Sequence, residues 1–95
     1  MERLTKALNA GKRRGYNTDH IANGRSYWIR YAIKKIDGGY MTYFSSIDDA
    51  QMAQPEDFLE VKLEHFPDLE SALANLRSHG AEIRKLTGIK LALPF

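Results

Sequence analysis

The segment from Arg25 to Ile47, RSYWIRYAIKKIDGGYMTYFSSI, restricts the fold more than any other part of the chain. Two runs rich in β-branched and aromatic residues flank Asp37-Gly38-Gly39, a pattern typical of a β-hairpin. Successive side chains of a strand point to opposite faces of the sheet. We therefore predict that one set of the first strand faces a core and that the other faces away from it. The core set is Tyr27, Ile29, Tyr31 and Ile33, and the outward set is Trp28, Arg30, Ala32 and Lys34.

The length of the hairpin turn decides which residues of the second strand share the core face. A two-residue turn pairs the core set of the first strand with Thr42 and Phe44. A three-residue turn that ends in a left-handed Gly39 pairs it instead with Met41, Tyr43 and Ile47. We favour the three-residue turn, because it sets three apolar residues opposite the apolar face of the first strand.

Periodicity predicts two helices and a further strand. Leu4 and Leu8 recur at helical spacing, which indicates a short amphipathic helix over about residues 2 to 9. The segment 69–76 carries leucines at spacings typical of the principal helix, with Asp68 placed to cap its start and Gly80 its end. Residues 59–64 alternate strictly, and we expect the apolar set to face the core and the charged set to face outward. The apolar set is Leu59, Val61 and Leu63, and the charged set is Glu60, Lys62 and Glu64.

The remaining segments read as connections and a C-terminal strand. Residues 11–24 contain three Gly and no periodicity, which predicts a loop with a tight Asn23-Gly24 turn. Residues 48–56 form an acidic connector that Pro55 interrupts. After the principal helix, residues 83–93 predict one strand, or two short ones that break at Gly88.

These elements predict an α+β fold in the order α-β-β-β-α-β. A small antiparallel sheet of about four strands would carry one principal helix on one face. The 95 residues make a single domain, in which residues 1–24 form a flexible basic N-terminal segment. The sheet's other face would then be open to solvent or to a partner.

Charge is divided unequally between the two halves of the chain. Residues 1–43 carry nine Lys or Arg and three Asp or Glu, whereas residues 44–95 carry five and nine. The net charge of +2 conceals this division, and a charged partner is expected to meet one half of the chain. The basic half also contains aromatic side chains, a combination that neutralises phosphates and stacks bases. We therefore predict a small non-enzymatic binding module that contacts nucleic acid through Lys12, Arg13, Arg14, Arg25, Trp28, Arg30 and Lys34.

Two alternatives stay open at this point. The first is a protein-interaction module, such as a toxin antidote or a small regulatory subunit, that uses the acidic connector or Trp28 beside a free sheet edge. The second is a small ribonuclease-like enzyme built on His20, which follows Asp19 and lies near basic residues in sequence. A homodimer is a further option, because a small sheet with unpaired edges and an apolar tail at residues 91–95 can complete its core by association.

Composition excludes several classes of chemistry. Without Cys there is no disulfide, thiolate nucleophile or thiolate metal site, and nothing requires an oxidising compartment. We expect a cytoplasmic protein with no membrane partner, because no apolar run approaches the length of a spanning helix. The known metal and phosphate-loop motifs are absent, so no metal and no cofactor is predicted. His65 and His79 are interpreted as structural residues.

Overall fold

The computed structural model describes residues 2–48 and 59–89. The element bounds are α1 Glu2–Asn9, β1 Arg14–Ala22, β2 Arg25–Ile36, β3 Gly39–Asp48, β4 Leu59–Phe66, α2 Leu69–Ser78, a 3-10 turn Ile83–Lys85 and β5 Thr87–Gly88. The strands form one antiparallel sheet in the order β4-β3-β2-β1-β5. The α+β class is thus confirmed, with one strand more than expected. Residues 49–58, which hold most of the acidic connector, and residues 90–95 lie outside the described part.

The additional strand is β1, in the segment predicted as a loop. That prediction was wrong for Arg14–Ala22, which pairs along its full length with β2. The tight turn between them is confirmed, since Ala22 pairs with Arg25 and both Asn23 and Gly24 have positive φ. Strong pairing to β2 therefore makes a strand of a sequence that has little β-propensity of its own.

The β2–β3 hairpin has the two-residue turn, and the favoured three-residue turn was wrong. Ile36 pairs with Gly39, and Gly38 takes the left-handed conformation with φ 81°. Tyr31 consequently lies opposite Phe44, and Ile33 lies opposite Thr42. One residue of turn length thus reverses the faces of β3 relative to the expectation.

Both helices cover the same face of the sheet, which we call the helix-covered face. It holds one buried apolar cluster that joins residues of α1, β2, β3, α2 and the segment after α2. The cluster is Leu4, Leu8, Ile29, Tyr31, Ile33, Phe44, Ala72, Leu73, Leu76, Ala81 and Leu86. The predicted core set of β2 and the predicted principal helix are therefore confirmed. Asp68 caps α2 as expected, because its Oδ1 accepts from the Ser71 N–H at 2.7 Å.

The faces of β4 are opposite to those predicted. Tyr43 pairs with Leu63 and Thr42 with Glu64, so β4 follows the register of β3. Val61 and Leu63 lie on the face opposite the helices, which we call the outer face, and remain 47% and 46% exposed. The charged set of β4 therefore lies on the helix-covered face, at the margin of the sheet. There Glu64 Oε2 accepts from Asn75 Nδ2 at 3.3 Å.

Candidate nucleic-acid interface

Antiparallel pairing brings two basic stretches of the sequence to the same end of the sheet. Arg14 pairs with Ile33, so the residues just before β1 lie beside the last residues of β2. Neighbouring strands are about 4.8 Å apart, well within the reach of a basic side chain. We call this group the basic end, and it comprises Lys12, Arg13, Arg14, Lys34 and Lys35.

Most cations of the basic end have no acidic partner in residues 2–48 and 59–89. The ion pairs of these residues involve neither Lys12, Arg14, Lys34 nor Lys35. Lys35 Nζ donates instead to the Asn9 side chain at 3.1 Å, and Arg14 Nη1 donates to the carbonyl of Arg13 at 3.3 Å. Four positive charges therefore remain without compensation by described carboxylates, which favours an anionic ligand.

Trp28 and Arg30 lie farther along β2, on the outer face. Both are half-buried, and Arg30 Nε donates to Asn17 Oδ1 of β1 at 3.2 Å. Trp28 lies between Asp19 and Ile47 on the neighbouring strands. Six residues separate it from Lys34, which corresponds to about 20 Å along a strand. The expected stacking residue is thus on the same face as Lys34 but at a distance of several nucleotides.

Arg25 lies at the opposite end of β2 from the basic end. Its Nη1 is 3.2 Å from Asp48 Oδ2, and the Asp48 side chain is only 10% exposed. This ion pair joins the start of β2 to the end of β3. The structure therefore does not bring Arg25 together with Lys12, Arg13 and Lys34.

His20 lines a cleft between β1 and the C-terminal end of α2. The cleft has a volume of about 440 Å³, and its lining includes Tyr16, Thr18, His20, Tyr31, His79, Glu82 and Lys85. His20 is exposed, whereas His79 is the C-terminal cap of α2 and stacks on Phe44 with ring centroids 4.5 Å apart. Arg14 lies six residues from His20 along β1, or about 20 Å. The geometry thus separates Arg14 from His20, but it places Arg25 on the same face, two residues along β2 from Tyr27, which pairs with His20.

Two tyrosines close the inner wall of this cleft. The Tyr31 hydroxyl donates to the His79 carbonyl at 2.7 Å, and the Glu82 N–H donates to the Tyr16 hydroxyl at 2.8 Å. Burial, together with the nearby Tyr16, raises the pKa of Tyr31 above its ordinary value. The nearby Lys85 ammonium lowers the pKa of Glu82 below its ordinary value. These groups attach the segment after α2 to the sheet, so their contacts are accounted for by the fold.

Sequence reasoning did not include Lys35 among the site residues. It belongs to the same basic run as Lys34, but its alternation places it on the helix-covered face, near α1. A side chain as long as lysine reaches the end of the sheet from either face. Lys35 could have been identified if the segment from Arg14 had been predicted as a strand. The pairing of β1 with β2 is what brings the end of β2 next to residues 12–14.

The described residues contain no metal site and no membrane-spanning helix. Within ranges 2–48 and 59–89, no group of three or more His, Asp or Glu side chains could hold a metal ion. No helix in those same ranges is both long enough and apolar enough to cross a membrane. Comparison with protein-family models, with curated proteins and with solved structures found no match to this chain.

Proposed function

We propose that this protein is a small binding module that contacts nucleic acid through the basic end. One observation carries the proposal: the β1–β2 pairing sets residues 12–14 beside residues 34–35. A cluster of five cations neutralises several phosphates at once, and release of their counterions drives binding. Lys34 has no carboxylate partner among the described residues, so it is available for such a contact.

The structure favours a sequence-independent mode of contact. Lysine and arginine at a sheet end reach phosphates, whereas base recognition needs a helix or strand in a groove or a platform of aromatic rings. Near Arg30 on the outer face, the aromatic side chains of the described residues are Trp28, which is half-buried, and Tyr43, which is buried. We therefore expect backbone contacts to dominate the affinity, with Trp28 adding a contact only for a strand long enough to reach it.

The test is a salt titration of binding to fluorescently labelled single-stranded and double-stranded oligonucleotides. Four phosphate contacts, one for each cation without a described carboxylate partner, predict a steep fall in the binding constant between about 50 and about 200 mM salt. The Lys34→Gln change should reduce the slope of log K against log salt by roughly 0.7 to 0.9, because it removes one contact. Fluorescence anisotropy measures the binding constant at each salt concentration.

Arg84→Gln is the matched control. Arg84 is a more exposed cation than Lys34, and it pairs with Glu82 at 3.4 Å, outside the basic end. This control should leave affinity and slope almost unchanged. Equal losses for both variants would show only a dependence on net charge, and no binding at about 50 mM salt would reject the proposal.

A further inference from the structure

Strand β4 is an edge strand of the sheet, and it has exposed side chains on both of its faces. It lies first in the order β4-β3-β2-β1-β5, and within residues 2–48 and 59–89 no strand pairs with its other edge. It is eight residues long, which makes it a long edge. A long edge strand presents unpaired N–H and C=O groups that can pair with another chain.

An apolar stripe on the outer face runs up to this edge. Tyr43 and Ile47 of β3 are each 8% exposed. Tyr43 pairs with the half-exposed Leu63 of β4, and Ile47 lies diagonally across from the half-exposed Val61. The burial of apolar side chains therefore decreases from β3 to β4. A strand added beside β4 would continue the sheet and cover Val61 and Leu63 from the side.

The charged side chains on the helix-covered face of β4 complement those of a second copy. Within one chain, Lys62 Nζ lies 3.9 Å from Glu60 Oε1, and both side chains are exposed. Glu60, Lys62 and Glu64 alternate in sign along the strand. A two-fold axis perpendicular to the sheet pairs two β4 strands antiparallel and keeps the faces matched. With the axis at Leu63, each Lys62 lies opposite Glu64 of the other copy, and Leu63 lies opposite Leu63. Opposite charges placed directly across a strand pair stabilise that pair.

We propose that a second copy of this chain binds along β4, antiparallel and centred on Leu63. This register uses the segment from Glu60 to Phe66, nearly the whole strand, and joins the two five-stranded sheets into one of ten strands. A register centred on Val61 would use less of the described strand. The surface is separate from the basic end, which involves β1 and β2, so the inference does not depend on the proposed function.

The competing explanation is that the charged side chains of β4 prevent other strands from pairing with its free edge. Lysine and other charged residues on an edge strand discourage pairing in many natural sheets. Protection predicts that the chain is a monomer and that Lys62→Glu changes nothing. Self-complementarity predicts instead a dimer that a single change of charge sign disrupts.

The first experiment exchanges charges between copies and measures mass by sedimentation equilibrium. Lys62→Glu sets like charges opposite each other at two places in its own dimer, and so does Glu64→Lys. Each variant alone should dimerise at least about ten-fold more weakly than the native chain. An equimolar mixture of the two should recover the dimer, because both cross pairs are then of opposite sign.

Glu60→Lys alone is the register control, and it should dimerise as tightly as the native chain. Glu60 lies opposite Phe66 in the proposed register, whereas a register centred on Val61 would set the introduced lysine opposite Lys62 and weaken the dimer. Because Glu64 also accepts a hydrogen bond from Asn75, circular dichroism must show that each variant is folded. A native chain that remains a monomer up to its solubility limit would overturn the proposal, as would a dimer that Lys62→Glu leaves intact.

The second experiment uses the absence of Cys from the sequence. Directly opposite residues of antiparallel strands have Cα atoms about 4.5 to 5.5 Å apart, a distance that a disulfide spans. Leu63→Cys should therefore crosslink two copies on mild oxidation. Val61→Cys should not, because its equivalents lie four residues apart along the strands, or about 13 Å. Equal crosslinking of both variants, or crosslinking of Val61→Cys alone, would reject the register centred on Leu63.

Discussion

The Tyr31 side chain connects the sheet to the end of α2. It is buried, its ring lies 5.1 Å from that of Tyr16 and 5.7 Å from that of Phe44, and its hydroxyl donates to the His79 carbonyl. The His79 carbonyl is part-buried, so the loss of its donor is costly, whereas the ring alone contributes packing. The hydroxyl therefore fixes the position of the turn after α2 relative to β2.

We expect Tyr31→Phe to lower the free energy of unfolding by about 1 kcal/mol, because the His79 carbonyl loses its donor while the ring is kept. Urea denaturation followed by circular dichroism measures the change. Tyr27→Phe is the control, since Tyr27 lies on the same strand and face but its hydroxyl has no hydrogen bond to the described residues. If both variants lose the same stability, the hydrogen bond does not stabilise the fold.

At the scale of elements, α2 begins where its sequence indicates. Asp68 has extended backbone angles, and its carboxylate accepts from the Ser71 N–H, which also lowers the pKa of Asp68. A carboxyl group whose pKa is lower in the folded state contributes stability above its unfolded pKa. That contribution is lost as the pH falls through the folded pKa.

We therefore expect the native chain to lose more stability on acidification than Asp68→Asn does. Asparagine keeps a capping oxygen but does not titrate, so the other carboxyl groups contribute equally to both proteins. Urea denaturation at several values between about pH 7 and about pH 3 gives the comparison. Parallel pH profiles for the two proteins would show that the capping charge has no influence.

The turn of the β2–β3 hairpin also acts at the scale of elements, because it sets the faces of two strands. With the two-residue turn, Phe44 faces the helices, and β4 follows through the pairing of Tyr43 with Leu63. A turn one residue longer would send Tyr43 and Leu63 to the helix-covered face instead. The wrong prediction for β4 therefore has the same origin as the wrong turn length. The alternation of β4 showed which residues share a face but could not show which face the helices cover.

At the scale of the whole molecule, the fold concentrates positive charge that the sequence distributes over two segments. Four cations of the basic end have no carboxylate partner in the described residues. Like charges held close together repel one another, so the folded state has an electrostatic cost that a polyanion would relieve. Stability and binding should then change in opposite directions when one of these charges is removed.

We expect Lys34→Gln to raise the free energy of unfolding by about 0.3 kcal/mol while it weakens oligonucleotide binding, since it removes one repelling charge and one phosphate contact. Thermal denaturation at low salt measures the first effect. Arg84→Gln should show no gain in stability, because Arg84 is paired with Glu82. A loss of stability in Lys34→Gln would show that Lys34 has a structural role and that repulsion at the basic end is unimportant.

The sequence by itself determined the two helices, the hairpin strands β2 and β3, strand β4 and the capping of α2, because hydrophobic period and capping chemistry are local properties. Only the tertiary structure decided that residues 14–22 form a strand, which face of β4 is covered, and that residues 12–14 meet residues 34–35. Those features depend on pairing between strands, and the free energy of pairing comes from partners distant in sequence. A difference of one residue in the β2–β3 turn is therefore enough to exchange the two faces of β3 and β4.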